Sequence, residues 1–266
     1  MCIRDRGIVC VRNSHHFGAA GYYAEIAARQ GFIGIVTTST RGISMVPTRG
    51  TQPVLGTNPF AFAAPAGKYD PLVLDFATTV AAVNKVKVRK LRELQLPDGW
   101  VNDGYGRTIF DPNEAIRIFE NKSFGGLNPF GGIGETLGGH KGYGLAVFSH
   151  ILSGAMPGAS FSPVRVKNSN ADTPDDLGHY FQAINPESFR TKEEYENDIE
   201  VVIETLRSVK PSDPDKPVLV PGEPEQISRK DRQKNGIPVN RNLRNLIKEI
   251  AQNAGVEYFL VNNTTP

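Results

Sequence analysis

Asn13-Ser14-His15-His16-Phe17-Gly18-Ala19-Ala20-Gly21 is the stretch on which the fold turns. An apolar, β-branched run at 7–11 leads into it and reads as a buried strand. A helix over 17–30 leaves it and ends at Gly31, a C-terminal cap. A second apolar run, 32–38, reads as another strand. Strand, helix and strand in that order predict a βαβ unit, an α/β opening with two histidines on its first turn. Ser14 or Asn13 is expected to cap the helix, because a short polar side chain accepts from a free N–H of the first turn. Loop residues held between rigid elements are where chemistry concentrates. The same histidine pair also suits plain capping or packing.

Outward from this stretch, 39–52 is a loop, and Thr57-Asn58-Pro59 is a turn signal before a strand at 60–64. A further strand at 72–76 carries Asp75 at its end. Helix is expected over 78–94, turns and a hairpin over 97–112, and a short helix over 113–120. The Gly-rich 121–139 lacks periodicity and reads as a long loop, a feature usually functional or disordered in compact domains. An apolar helix follows at 141–156, an exposed polar stretch at 157–177 and a strand at 179–185. An amphipathic helix at 191–209 sets Ile199, Val202, Ile203 and Leu206 on one face. Surface helices at 225–234 and 240–253 and a last strand at 256–261 complete the chain.

Composition narrows the function classes. The 266 residues are 39% hydrophobic and 22% charged, with a net charge of +2, ordinary for a globular protein. This balance gives no sign of a nucleic-acid surface, and no apolar run is long enough to span a membrane. Two cysteines, Cys2 and Cys10, make no disulfide framework and no CxxC spacing, so a cytoplasmic setting is expected. Residues 1–6 resemble a translated sequencing-library adapter and are set aside from fold reasoning.

The chemistry-bearing motifs are few. Neither G-x-G-x-x-G nor G-x-x-x-x-G-K-[ST] occurs, which argues against a Rossmann fingerprint and a P-loop. The best phosphate-loop substitute is Gly138-Gly139-His140-Lys141-Gly142-Tyr143-Gly144. Its glycines allow close backbone approach, its following helix offers free N–H groups to an anion, and Lys141 adds positive charge. A helix start with a solvated lysine explains the same residues equally well. The five histidines show no HExxH spacing, so no metal site is expected, and no G-x-S-x-G elbow points to a nucleophile. His16 suits general acid–base work, since its ordinary pKa lies near working pH.

Five motifs then occur in order: 13–21, Gly-Thr-Asn-Pro at 56–59, Asp-Phe-Ala-Thr-Thr at 75–79, Gly-Gly-His-Lys-Gly-Tyr-Gly-Leu at 138–145, and Pro-Gly-Glu at 221–223. Together they resemble the malate/L-lactate dehydrogenase family that includes ureidoglycolate and sulfolactate dehydrogenases and is unrelated to the Rossmann lactate dehydrogenases. The resemblance spans residues 7 to the C-terminus. It implies an α+β fold like that of sulfolactate dehydrogenase, with a mixed or antiparallel sheet and flanking helices. It also implies a homodimeric oxidoreductase that transfers a hydride between NAD or NADP and a small 2-hydroxy or 2-oxo acid. The family's acid/base histidine falls on His16. Its cofactor contacts fall on Thr40, Asp75, Phe76, Ala77, Lys141, Gly142, Gly222 and Glu223. The expected organisation is a cofactor-binding region with the histidine loop at 7–185, then C-terminal helices and a strand at 186–266.

Two departures from the family stand out. Its N-terminal helical region, with a Ser-His-Gly motif and a substrate-binding arginine, has no counterpart here, so the chain is expected to be an N-terminally truncated enzyme on whose C-terminal helices that region packs. Asn84 stands where a glycine is expected. A nucleotide-binding fragment without catalysis and a purely structural domain are the alternatives.

Overall fold

The computed structural model describes residues 5–168 and 173–260. Five strands form one sheet: β1 (Arg6–Ser14), β2 (Ile33–Thr38), β3 (Phe60–Ala64), β4 (Leu72–Phe76) and β7 (Leu177–Ile184), in the order β1-β7-β2-β3-β4. Every adjacent pair is antiparallel. β1 and β2 therefore run the same way, but β7 lies between them. The βαβ unit is not built from neighbouring strands, since a strand from far along the chain takes the central place. β1 is also not buried. It is an edge strand, and Ile8 and Val9 are 47% and 53% exposed.

Strand parity decides what each face carries. Helix α1 (Ala20–Arg29) lays Ala20, Ala24 and Ala28 on Val36, Ala61 and Ala63. Gly34 makes this approach possible, because a Cβ there would lie 2.5 Å from the Ala24 carbonyl oxygen. The opposite face receives α4 (Gly139–His150), which winds into a π-helical turn, Ile151–Ala155. Phe148 meets Phe60 there at 6.4 Å between ring centroids. Gly178 lies so close to the π turn that a Cβ would come within 1.8 Å of the Ser153 carbonyl oxygen.

Beside the sheet, α2 (Val83–Leu91), α3 (Pro112–Asn121) and the short pair β5 (Val101–Asn102) and β6 (Gly126–Leu127) enclose Val86, Leu96, Val101, Ala115 and Leu127. α2 starts late because the Thr78 and Val80 N–H groups donate to the Thr57 and Asn128 carbonyls instead. Asn84 is exposed on its first turn, where a side chain is accommodated. The 121–139 stretch is more ordered than its composition suggests, since β6 pairs with β5 and Leu127 is fully buried. A short helix α5 (Ser162–Asn168) occupies part of the polar stretch expected to be exposed, in which Ser162 and Leu177 are in fact buried.

Helix α6 (Lys192–Ser208) buries Ile203 against Ala66 and Val220, whereas Val202 and Leu206 on the same predicted stripe stay largely exposed. α7 (Glu223–Asn235) and α8 (Arg241–Asn253) follow. No strand forms over 256–260, and Val261 lies outside the described residues. Among the described residues no helix is long and apolar enough to cross a membrane.

Candidate active site

The antiparallel order gathers the first three motifs at one end of the sheet; Phe130 brings the fourth to the same end, while the fifth lies along β4. β1, β2 and β4 finish there, and β3 and β7 begin there. His16 leaves β1, Thr40 leaves β2, Asp75 to Ala77 close β4, and Asn58 precedes β3.

The histidine loop is held by hydrogen bonds. Asn13 takes a left-handed backbone (φ 54°), and its N–H donates to Asp176 at 2.9 Å. His15 Nδ1 lies 3.1 Å from Asp175, whose other oxygen is 3.0 Å from Arg41 Nε. His16 is exposed, and its Nδ1 accepts from the Gly18 N–H at 3.1 Å. That contact places the proton of the neutral ring on Nε2, the form that offers a donor to a carbonyl. To act as a base at Nε2 the ring must carry its proton on Nδ1 and release Gly18. The two histidines are therefore not equivalent: one is tied to a carboxylate, the other presents a ring nitrogen outward.

Thr40 is held from within the protein. Its hydroxyl donates to Asn58 Oδ1 at 3.1 Å, and the buried Asn58 donates to the Ala146 carbonyl at 3.1 Å. Ser162 donates to the Thr40 carbonyl. Gly56 has no room for a side chain, since a Cβ would fall 1.5 Å from Thr40 Oγ1. The Gly-Thr-Asn-Pro motif thus serves as the seat of Thr40.

Strand alternation then divides Asp75 from Phe76. Asp75 faces α1 and accepts from the Gly21 N–H at 2.8 Å. It is Asp75, from a different strand, that caps α1; Ser14 and Asn13 do not. It opens on a cleft of about 700 Å³ lined in part by Tyr22, Glu25, Gly222, Glu225 and Arg229. The walls of this cleft raise the Asp75 pKa by desolvation, the Gly21 N–H opposes the rise and the Glu225 charge adds to it. Gly222, at φ +96°, sits against β4, where the Val73 N–H donates to the Pro221 carbonyl at 3.1 Å. Glu223 lies outside this cleft. Its carboxylate accepts from the Val220 N–H at 2.6 Å and pairs with Arg207.

Phe76 points to the other face, 5.9 Å from Phe60 and 6.0 Å from Phe130 between ring centroids. The Phe130 N–H donates to the Thr78 carbonyl at 2.8 Å. A Cβ on Gly142 would stand 2.1 Å from the Phe130 carbonyl oxygen. Phe130 therefore ties Phe76, Thr78 and the first turn of α4 together. Lys141 is exposed on that turn and makes no ion pair with any described residue. Gly138, at φ 90°, leads the helix without a side-chain cap. The Gly-rich motif is thus brought to Phe76 and Thr78, whereas the Asp75 side chain and Gly222 share a separate cleft.

Sequence reasoning missed His179, Asp175 and Phe130. His179 is 2% exposed and stacks on Phe17 at 4.3 Å. No motif or periodicity marks these residues, because their partners are remote in the chain. Among the described residues, no three His, Cys, Asp or Glu side chains are grouped to hold a metal ion.

Comparison with known proteins converges on one family. The malate/L-lactate dehydrogenase model matches residues 5–248. A malate dehydrogenase of Pyrococcus abyssi is 39% identical over 94% of this chain and 67% of its own length. An L-sulfolactate dehydrogenase of Methanocaldococcus jannaschii is 35% identical over 94% and 67% respectively. The crystal structure of malate dehydrogenase from Entamoeba histolytica superposes with a TM-score of 0.87 at 32% identity, covering 96% of this chain and 70% of that one. The chain spans about two thirds of the length of these relatives. The antiparallel sheet, the missing Rossmann fingerprint and the motifs occurring in order agree with these matches: this protein belongs to the malate/L-lactate dehydrogenase family and has its α+β fold.

Proposed function

We propose that the protein is a nicotinamide-dependent oxidoreductase that interconverts a small 2-hydroxy acid and its 2-oxo acid, with His16 as the general acid/base. The observation that carries this reading is the outward ring of His16 at the sheet end where the family's cofactor motifs converge. A bound nicotinamide supplies the hydride acceptor or donor at C4. In the oxidation direction His16 takes the hydroxyl proton, and in the reduction direction it returns one to the carbonyl oxygen.

The residues present fit a dinucleotide. The exposed ammonium of Lys141 and the uncapped start of α4 suit a pyrophosphate. The Asp75–Gly222 cleft is large enough for a nucleoside. Its walls carry Glu25, Asp75 and Glu225 against the single Arg229. Such a lining accepts a ribose diol and repels a 2′-phosphate, so we read NAD as preferred over NADP if the adenosine end lies there. The working form is proposed to be a homodimer.

Two measurements test this. NADH and NADPH are titrated by fluorescence, and oxidation of each is followed with a panel of 2-oxo acids. Binding with turnover supports the reading; binding without turnover leaves a nucleotide-binding protein; no binding overturns it.

A further inference from the structure

We infer that His179 is a positioning residue for the histidine loop, orienting the peptide unit from which His16 projects. The inference rests on the acid/base reading of His16. His179 Nε2 lies 3.1 Å from the His15 carbonyl oxygen and 3.0 Å from Ser14 Oγ. Its Nδ1 lies 2.7 Å from Thr38 Oγ1, at the end of β2.

The His15 carbonyl belongs to the His15–His16 peptide plane. A hydrogen bond to it fixes the rotation of that plane and hence the direction in which the His16 Cα–Cβ bond leaves it. A carbonyl only accepts, so Nε2 carries the proton. The neutral ring then accepts at Nδ1, where the Thr38 hydroxyl shares its one proton with the Ser39 and Gly178 carbonyls at 2.7 and 3.2 Å. Burial lowers the His179 pKa and favours this neutral form. Phe17 stacks on the ring at 4.3 Å, and the Phe17 carbonyl accepts from Tyr23 of α1 at 2.8 Å. The ring thus links the end of β2 to both ends of the His15–His16 pair. A buried histidine that only fills space has no need of a bond to that particular carbonyl.

Two amides separate the ring's two jobs. In His179→Gln the side-chain NH₂ reaches the ε position and keeps a donor for the His15 carbonyl. In His179→Asn the polar group stops at the δ position, near Thr38, and cannot reach the loop. Amide hydrogen exchange over 15–18 is measured in both variants, together with kcat and the KM for NADH. Exchange in the loop is expected to rise about tenfold in His179→Asn and stay near wild type in His179→Gln. Turnover is expected to fall about 10²-fold in the Asn variant, with cofactor KM within about twofold, because misplacing a reacting group by about 1 Å has that effect. The Gln variant should recover most of the loss. Equal loop exchange in the two variants would overturn the inference, as would a turnover loss that follows melting temperature alone. If the wild type itself shows no turnover, the acid/base reading fails, and the exchange ranking still decides whether His179 holds the loop.

Discussion

The loop after β1 and the start of α4 reach the same end of the sheet by opposite means. Around His16, side chains fix the geometry: Asp176 holds Asn13, Asp175 holds His15, and His179 reaches the His15 carbonyl. Around Lys141, the lack of side chains fixes it: Gly138 takes a left-handed backbone and Gly142 lets the helix touch Phe130. A proton-transfer group, the role proposed for His16, must be aimed, and directional bonds aim it. A surface that meets a phosphate, the role proposed for the start of α4, needs its backbone uncovered, and glycine uncovers it.

Substitutions at the two regions should therefore fail differently. The largest effect is expected at His16. His16→Ala should lower turnover about 10²–10⁴-fold with cofactor affinity nearly unchanged. His15→Ala, which loses only an exposed contact to Asp175, should be milder. Steady-state kinetics on both variants checks the ranking, and a reversed order would mean that His15 is the acid/base.

Next is Lys141→Ala, expected to weaken NADH binding by about 1.5–3 kcal/mol, the worth of a hydrogen bond to a charged group. Its melting temperature should not move, since Lys141 is exposed and pairs with no described residue. Unchanged affinity in a fluorescence titration would remove the α4 start from the cofactor site. Gly142→Ala should do the converse. Its added Cβ meets the Phe130 carbonyl oxygen at 2.1 Å, and overpacking of this kind destabilises by about 1–3 kcal/mol. Denaturant unfolding measures it, and a variant of wild-type stability would show that Phe130 yields to a methyl group there.

The smallest effect is on pH dependence. Burial holds His179 and His150 below the ordinary histidine value of 6.5. Between the lowered folded pKa and the unfolded value, the unfolded chain binds more protons, so stability rises with pH. Their neutral forms thus add no penalty above pH 6.5, and stability is lost as pH falls below it toward the folded pKa. Melting curves from pH 7.5 to about 5 should show this decline, less steep in His179→Gln. An unchanged slope in that variant would mean that His179 already titrates normally.

Local readings succeeded where the signal was local. β3 and β4 occupy 60–64 and 72–76 as expected, because short apolar runs there are bounded by Asn-Pro, Pro-Ala-Gly and Asp-Pro. Gly31 follows α1 at φ 85°, the left-handed position that a helix end favours. The placement of β7 was not legible from β1 and β2, since nothing in residues 7–38 announces a strand that begins at 177. Nor was the cap of α1, which comes from Asp75, 54 positions away. The exposure of β1 escaped notice because an edge strand and a buried one share the same β-branched composition. Of the strand expected at 256–261, residues 256–260 pair with no described strand, and an apolar run without a partner stays irregular.

By itself the sequence determined most of the element types and the order of the motifs, because periodicity, turn residues and glycine spacing are properties of neighbours along the chain; His16 was singled out through the family resemblance. The tertiary structure alone decided that Asp75 and Phe76 part to opposite faces, that Glu223 pairs with Arg207, and that His179 stands behind the histidine loop. Each of these depends on sheet order and on hydrogen bonds between residues far apart in sequence, the contact of His179 with Ser14 spanning 165 positions. Their energies exist only once the sheet has closed around them.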